Sequence, residues 1–125
     1  MNTAERARHL AAAAGRSAFL GRTTADDLLE LVRLELGHEA ALDDFVQRGE
    51  HFARAMAPRS ILHILSGNTP AAGLQSLIRG LLLGSHNLAK LPAAGLSDLA
   101  QFREALPREL AENVEFSSDL PEEWL

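Results

Sequence analysis

The first part of the chain carries hydrophobic residues at helical spacing. An Ala-rich and Arg-rich stretch predicts a helix from Thr3 to about Ala14. Thr24 opens a second predicted helix, because Asp27 stands at capping-box spacing and leucines and a valine follow every three to four residues. We also expect a short third helix over about 39–47 and one further helical turn within 51–57.

The second part of the chain alternates between short strands and helices. Three apolar runs fit buried strands: 60–65, 86–91 and 113–117. Between the first two runs, a stripe at i, i+3, i+4, i+7 and i+8 predicts a helix: Leu74, Leu77, Ile78, Leu81 and Leu82. Pro70 suits the first turn of this helix, since its missing N–H costs nothing there. Ser97 is expected to cap a second helix, which Pro107 breaks or restarts.

The order of the predicted elements determines the fold class. Helical crossovers between strands connect parallel neighbours with right-handed topology. We therefore predict an α/β fold in which N-terminal helices over 1–57 precede a β-α-β-α-β half of a doubly wound, Rossmann-like parallel sheet over 58–125. We expect such a sheet to carry helices on both faces and to bind ligands at the carboxyl ends of its strands.

Composition narrows the classes of function. The 125 residues carry a formal net charge of −5, so the chain is a poor candidate for binding nucleic acid or an anionic membrane. It has no cysteine, which removes disulfides and a cysteine nucleophile from these residues. Its histidines are scattered, so we expect no metal site. No apolar stretch approaches the roughly 20 residues that span a bilayer, and the cytoplasm is the expected location.

The loop after the first predicted strand is the main candidate site, and it reads Ser66-Gly67-Asn68-Thr69-Pro70. Gly67 permits a tight turn, and the helix start that follows offers free N–H groups to an anion or a polarised carbonyl. The Asn68 amide has two interpretations: it caps the helix, or it donates a hydrogen bond to a developing oxyanion. The loop lacks the Gly-x-Gly-x-x-Gly fingerprint of dinucleotide-binding turns.

Two segments of the chain carry a family resemblance. The first reads His63-Ile64-Leu65-Ser66-Gly67-Asn68-Thr69-Pro70, and the second, after an apolar helix, reads Asn87-Leu88-Ala89-Lys90-Leu91-Pro92. Together they resemble the acyl-CoA reductase family of the aldehyde dehydrogenase superfamily, which includes the fatty-acid reductase of bacterial bioluminescence. The resemblance extends from about residue 42 to residue 125. It implies that 58–125 is part of a dinucleotide-binding domain, and that the chain is the N-terminal, cofactor-binding part of an NAD(P)H-dependent reductase of fatty acyl thioesters.

The resemblance also implies roles for individual residues. Asn68 matches the asparagine whose side-chain amide lines the oxyanion hole. Leu65 and Ser66 match positions whose backbone lies along the nicotinamide cofactor. Lys90, the only lysine of the chain, matches the lysine that contacts the adenosine ribose. The chain departs from the superfamily after this lysine, where Leu91 and Pro92 replace the usual Pro-Ser or Pro-Glu.

A second departure concerns the reaction itself. The family acts on an acyl-CoA or acyl thioester through a cysteine nucleophile, and this chain has no cysteine. We therefore expect either a piece of a longer enzyme or a degenerate short protein, inactive by itself in both cases. Two alternatives remain open. One is a non-catalytic interaction module that dimerises through an exposed sheet edge. The other is a small domain that binds an adenine nucleotide through Lys90 and the helix start at Pro70.

Overall fold

The computed structural model describes residues 1–67 and 71–125, and within them the chain has five α-helices and five strands. The helices are α1 (Thr3–Ala14), α2 (Ala25–Leu36), α3 (Ala72–Leu82), α4 (Ser97–Glu104) and α5 (Arg108–Ala111). The strands are β1 (Val46–Arg48), β2 (His51–Ala53), β3 (Ser60–Ile64), β4 (His86–Lys90) and β5 (Val114–Ser117). A 3₁₀ turn, Glu122–Trp124, follows β5.

The first two helices form where the sequence predicts them. In α1 the Asn2 side chain accepts a hydrogen bond from the backbone N–H of Glu5 at 2.8 Å. In α2 the predicted capping box is present: the Asp27 N–H donates to Thr24 Oγ1 and the Thr24 N–H donates to Asp27 Oδ2, both at 3.0 Å. Gly37 ends α2 with φ at +86°, a left-handed conformation that favours glycine. These contacts satisfy backbone groups that a helix end leaves unpaired.

The expected third helix is wrong, because an antiparallel hairpin occupies this part of the chain. Strand β1 pairs with β2, with Val46 opposite Ala53 and Arg48 opposite His51. The two-residue loop between the strands begins with Gly49, whose φ is +61°. Glycine at the first position of a two-residue loop suits the turn that matches the twist of a hairpin. The remaining segment 54–57 is irregular, so the further helical turn is also absent.

The second half of the chain has the predicted order of elements. Strands β3, β4 and β5 form a parallel sheet in that order, with α3 after β3 and with α4 and α5 after β4. Helix α3 begins at Ala72, later than expected, and Pro70 lies outside the described residues. Ser97 is not a cap: it is the first residue of α4, and Leu96 takes the N-cap position without a side-chain hydrogen bond.

The two faces of the parallel sheet differ in burial. His63, Asn87, Ala89 and Val114 lie on the face towards α3 and are buried. The residues that alternate with them are all partly or fully exposed: Ser60, Leu62, Ile64, His86, Leu88, Lys90, Glu115 and Ser117. We expected helices on both faces, whereas the described residues bury only one. The α/β class and the parallel sheet are confirmed.

Helix α1 forms the centre of the helical packing. It contacts α2, α3 and α4, and its inward face consists mainly of alanines that permit close approach. Leucines from three helices complete this core with no exposed surface or almost none: Leu10, Leu74, Leu77, Leu81 and Leu99. The core thus contains residues from both sides of residue 57, and the division of the chain there stays a prediction.

Arg6 joins α1 to the end of α3. Its Nε donates to Leu82 O at 2.9 Å, and its terminal nitrogens donate to Met1 O at 2.7 Å and to Thr3 Oγ1 at 3.1 Å. Burial lowers the pKa of the Arg6 guanidinium, and the nearby charge of Asp43 acts in the opposite direction. A guanidinium stays charged at neutral pH, so it also suits the negative end of the α3 dipole.

Candidate functional site

The carboxyl ends of β3 and β4 bring three of the four predicted site residues together. The ladder continues past β3, where the Leu65 N–H donates to Lys90 O at 2.9 Å. Ser66 follows directly, so it lies at the same end of the sheet. On the other side of β4, the Leu91 N–H donates to Ser117 O at 2.8 Å. Parallel neighbours therefore place Leu65, Ser66 and Lys90 at the edge where α/β sheets bind ligands.

Lys90 lies on the open face of the sheet, between Ile64 of β3 and Ser117 of β5. Its side chain is half-buried, and its Nζ is 3.5 Å from Leu91 O, a distance at the limit of a hydrogen bond. Across residues 1–67 and 71–125, no carboxylate forms an ion pair with Lys90. The ammonium therefore remains available to an anionic or hydroxyl-bearing ligand.

The start of the predicted loop lies against the segment after β4. A Cβ added to Gly67 would stand 3.8 Å from Pro92 Cγ, an ordinary contact distance. Asn68, the fourth predicted residue, lies outside the described residues, so its oxyanion role stays a prediction. Directly beyond, Ala71 has φ at +65° and is the one described residue other than glycine with a positive φ. Such a conformation costs an alanine about 1–2 kcal/mol.

A buried polar network lies on the other face of the sheet. His63 Nε2 is 2.8 Å from Asn87 Oδ1, and His63 Nδ1 is 2.7 Å from Ser76 Oγ of α3. Asn87 has no exposed surface, and its Nδ2 donates to Ser85 O at 2.8 Å and to Asn113 O at 3.4 Å. His63 is therefore a buried residue whose two ring nitrogens both have hydrogen-bond partners.

The sequence analysis does not predict the hydrogen-bond partners of His63. Asn87 was noted only as part of the family resemblance, although an amide within an apolar strand is a signal for a buried hydrogen-bonding group. Gly80 is the other missed residue, because it lies within the predicted apolar helix without a turn to explain it. A Cβ at Gly80 would stand 1.9 Å from Asn87 Oδ1 and 3.1 Å from His63 Nε2. The glycine therefore makes room for the network.

Two further chemical features bear on the function. Within 1–67 and 71–125, no group of three or more His, Asp or Glu side chains has the arrangement of a metal site. No helix in this part of the chain is long and apolar enough to cross a membrane.

The geometry can now be compared with known proteins. The family model described as "Acyl-CoA reductase (LuxC)" matches residues 6–116, which is most of the chain. The chain belongs to the acyl-CoA reductase (LuxC) family. The match begins within α1, so the N-terminal helices belong to the family segment, whereas the resemblance noted in the sequence began only near residue 42.

The curated relatives of this acyl-CoA reductase family member are long-chain acyl-protein thioester reductases. The protein of Vibrio harveyi is 30% identical over 67 residues, which is 54% of this chain and 14% of the relative. The protein of Photobacterium phosphoreum is 31% identical over the same span, and that of Photorhabdus luminescens is 32% identical over 63 residues. The matched segment thus spans about one seventh of the length of these relatives.

Proposed function

We propose that the chain supplies part of a nicotinamide-cofactor site in a reductase of fatty acyl thioesters. The observation that carries this proposal is the hydrogen bond of 2.9 Å between the Leu65 N–H and Lys90 O, at the carboxyl ends of adjacent parallel strands. Family membership supports it, since the relatives are named as long-chain acyl-protein thioester reductases. NADH and NADPH are both compatible with the proposal.

Each proposed site residue has a role that fits the chemistry of its backbone or side chain. The backbone of Leu65 and Ser66 would lie along the cofactor, and the Lys90 ammonium would donate hydrogen bonds to the hydroxyls of the adenosine ribose. Asn68 would donate its amide N–H to the oxygen that gains negative charge as the thioester carbonyl is attacked. The cofactor, when bound, supplies the hydride that reduces the acyl group.

The nucleophile does not come from these 125 residues, because none of them is cysteine. The family scheme begins with a thiolate that accepts the acyl group from an acyl-CoA or acyl-protein thioester. We propose that the chain by itself binds cofactor but does not turn over substrate. We also propose that β3, β4 and β5 are half of a doubly wound sheet, in which further strands pair with the outer edge of β3.

The test is to measure cofactor binding by the chain, using NMR titration with NADPH and with NADH. Lys90→Met keeps the apolar stem and removes the charge, and we expect affinity to fall about 10- to 100-fold, since a hydrogen bond from a charged group contributes about 1.5–3 kcal/mol. Arg59→Ala is the matched control, because Arg59 is an exposed cation that precedes β3, at the opposite end of the sheet. Equal affinities of the Lys90→Met variant and the native chain would refute the proposed role of Lys90.

ADP provides a further arm of the same titration. If ADP binds as tightly as NADPH, the nicotinamide half makes no contact, and the chain is better described as a small adenine-nucleotide-binding domain. Tighter binding of either dinucleotide supports the reductase proposal.

A second candidate function rests on the outer edge of β3. No strand lies beyond β3 within 1–67 and 71–125. The His86 N–H donates to Arg59 O and the Leu65 N–H donates to Lys90 O, so the backbone groups of alternate residues, Leu62 and Ile64, face away from β4. Ile64 is 67% exposed, and β3 has no charged residue of the kind that protects sheet edges. We propose on this basis that two copies of the chain pair through β3.

Ile64→Lys tests the pairing, because a charge on an edge strand opposes strand addition. We expect the native chain to show a concentration-dependent mass in analytical ultracentrifugation and the variant to remain monomeric. Leu34→Lys is the control, since Leu34 is equally exposed, at 67%, but lies on α2. A native chain that stays monomeric at high concentration would refute the candidate.

A further inference from the structure

The network of Ser76, His63 and Asn87 links α3 to all three strands of the parallel sheet. His63 belongs to β3, Asn87 to β4, and the Asn113 carbonyl that accepts from Asn87 directly precedes β5. His63 precedes Leu65 by two residues and Asn87 precedes Lys90 by three. The network therefore lies two to three residues before the strand ends that carry the proposed cofactor contacts.

The direction of the hydrogen bonds follows from their acceptors. The carbonyls of Ser85 and Asn113 can only accept, so they fix which end of the Asn87 amide is Nδ2. Asn87 Oδ1 then accepts from His63 Nε2–H, and the remaining lone pair on Nδ1 accepts from the Ser76 hydroxyl. A neutral imidazole in this tautomer uses both ring nitrogens, so no polar atom of the side chain is left unpaired.

The carboxyl end of β3 is paired on one side and is packed by the partly buried side chain of Leu65. The strand is bonded to a strand on one side only within the described residues, and Ile64, its last residue, is 67% exposed. An edge strand has half of the ladder hydrogen bonds of a central strand. The side-chain link from His63 to β4 and α3 therefore adds to the backbone pairing and to the packing of Leu65 at this end.

The hydrogen bond between His63 and Asn87 requires a glycine in α3, and this glycine lowers the stability of the helix. Gly80 lies in the interior of α3, where glycine lowers helix stability relative to alanine. It is needed there because a Cβ would stand 1.9 Å from Asn87 Oδ1. The glycine is thus tied to the amide of Asn87, since an alanine at position 80 would require that amide to move or to be replaced.

We propose that His63 is a positioning residue for the cofactor site. It holds the backbone of Leu65 and Ser66 at a fixed spacing from Lys90 by joining β3 to Asn87 and to Ser76. This inference rests on the proposed function, because the two sides of that spacing are the proposed contacts of one ligand. His63 itself lies on the opposite face of the sheet from Lys90 and touches no reacting atom.

Amide hydrogen exchange separates a local effect on the end of β3 from a global loss of stability, and cofactor titration then tests the positioning role. The Leu65 amide donates to Lys90 O and the Leu91 amide donates to Ser117 O, so the two report on β3 and on β4 separately. In His63→Met we expect the protection of Leu65 to fall about tenfold more than that of Leu91, because the end of β3 opens locally. His63→Gln keeps a donor towards Asn87 and should restore most of the difference.

Leu10→Ala is the matched control, because Leu10 is fully buried in α1 and lies outside the network. When Leu10→Ala lowers global stability as much as His63→Met does, the Leu65 and Leu91 amides of Leu10→Ala should lose protection from exchange by the same factor. If the protection of the Leu65 and Leu91 amides also falls by the same factor in His63→Met, His63 is an ordinary core residue and the proposal is overturned. If His63→Met does not fold, Ser76→Ala replaces it, because this variant removes only the hydrogen bond between Ser76 and His63. We then expect the protection of Leu65 to fall more than that of Leu91, by a smaller factor.

NADPH titration of the same variants separates the two proposals. We expect His63→Met to weaken binding about as much as Lys90→Met does, and His63→Gln to bind more tightly than His63→Met. If the native chain binds no nicotinamide cofactor, the proposed function fails, and hydrogen exchange still decides whether His63 fixes the end of β3. If the native chain binds and His63→Met binds equally well, the positioning role fails while the proposed function stands.

Discussion

Replacing Gly80 by alanine is the most direct perturbation of the buried network. The new Cβ would stand 1.9 Å from Asn87 Oδ1 and 3.0 Å from Asn87 Cγ. Real Cβ atoms do not approach closer than 3.0 Å, so the amide or the helix must move by about 1 Å (3.0 − 1.9 Å). Asn87 is held on its other side by two backbone carbonyls, so the movement breaks hydrogen bonds that no water can replace in a fully buried site.

The expected change in the free energy of unfolding has one stabilising and two destabilising contributions. Alanine in the interior of a helix is more favourable than glycine by about 0.5–1 kcal/mol. Overpacking in a filled core costs about 1–3 kcal/mol. A buried polar group that loses its partner costs about 1–3 kcal/mol more. The free energy of unfolding should therefore fall by about 2–4 kcal/mol in the Gly80→Ala variant.

Urea denaturation followed by circular dichroism measures this change, and Gly73→Ala is the matched control. Gly73 is also buried in α3, but its Cβ would meet only the ends of two flexible side chains, Leu65 Cδ1 at 3.2 Å and Leu96 Cδ1 at 3.4 Å. We expect Gly73→Ala to change stability by less than about 1 kcal/mol, because the gain in helix propensity offsets a small adjustment. Equal stabilities of the two variants would refute the reasoning.

Three smaller predictions concern the helix ends and the strained alanine. Arg6→Met should lower the free energy of unfolding by about 1–3 kcal/mol because three acceptors, two of them in part-buried hydrogen bonds, lose a charged donor; Arg108→Met, at a 92% exposed site with one ion pair, should change it by less than about 0.5 kcal/mol. Thr24→Ala should cost about 1 kcal/mol by removing the capping box, while Thr23→Ala should cost much less; thermal unfolding of both variants checks this. Ala71→Gly should stabilise the fold by about 1 kcal/mol, because glycine adopts a positive φ freely, and a lower melting temperature would contradict it.

The helices that the sequence predicted correctly carry their apolar pattern over more than two turns. The stripe from Leu74 to Leu82 spans more than two turns, so no strand pattern competes with it. The hairpin was missed because its strands have three residues each, too few for alternation to show against a helical spacing. The available signal was Gly49, since glycine opening a two-residue loop is typical of a hairpin.

The site was predictable only in part, for a physical reason. Parallel pairing places the ends of neighbouring strands together, so Leu65 and Lys90 could be assigned to one edge from the order of elements alone. The network of His63 and Asn87 depends on register, and a shift of one residue would send both side chains to the other face. Its contact with Gly80 depends on how α3 packs on the sheet, which helical spacing does not determine.

The two candidate functions meet at β3 and can be separated there. Cofactor binding depends on the carboxyl end of β3 and on Lys90, whereas self-association depends on the outward groups of Leu62 and Ile64. A strand added to that edge would double the ladder hydrogen bonds of β3 and hold Leu65 more firmly. Cofactor affinity that falls on dilution of the native chain, together with the loss of dimers, would mean that strand addition completes the site. Unchanged affinity in a monomeric variant would mean that His63 and its partners fix the end of β3 without help from a second copy.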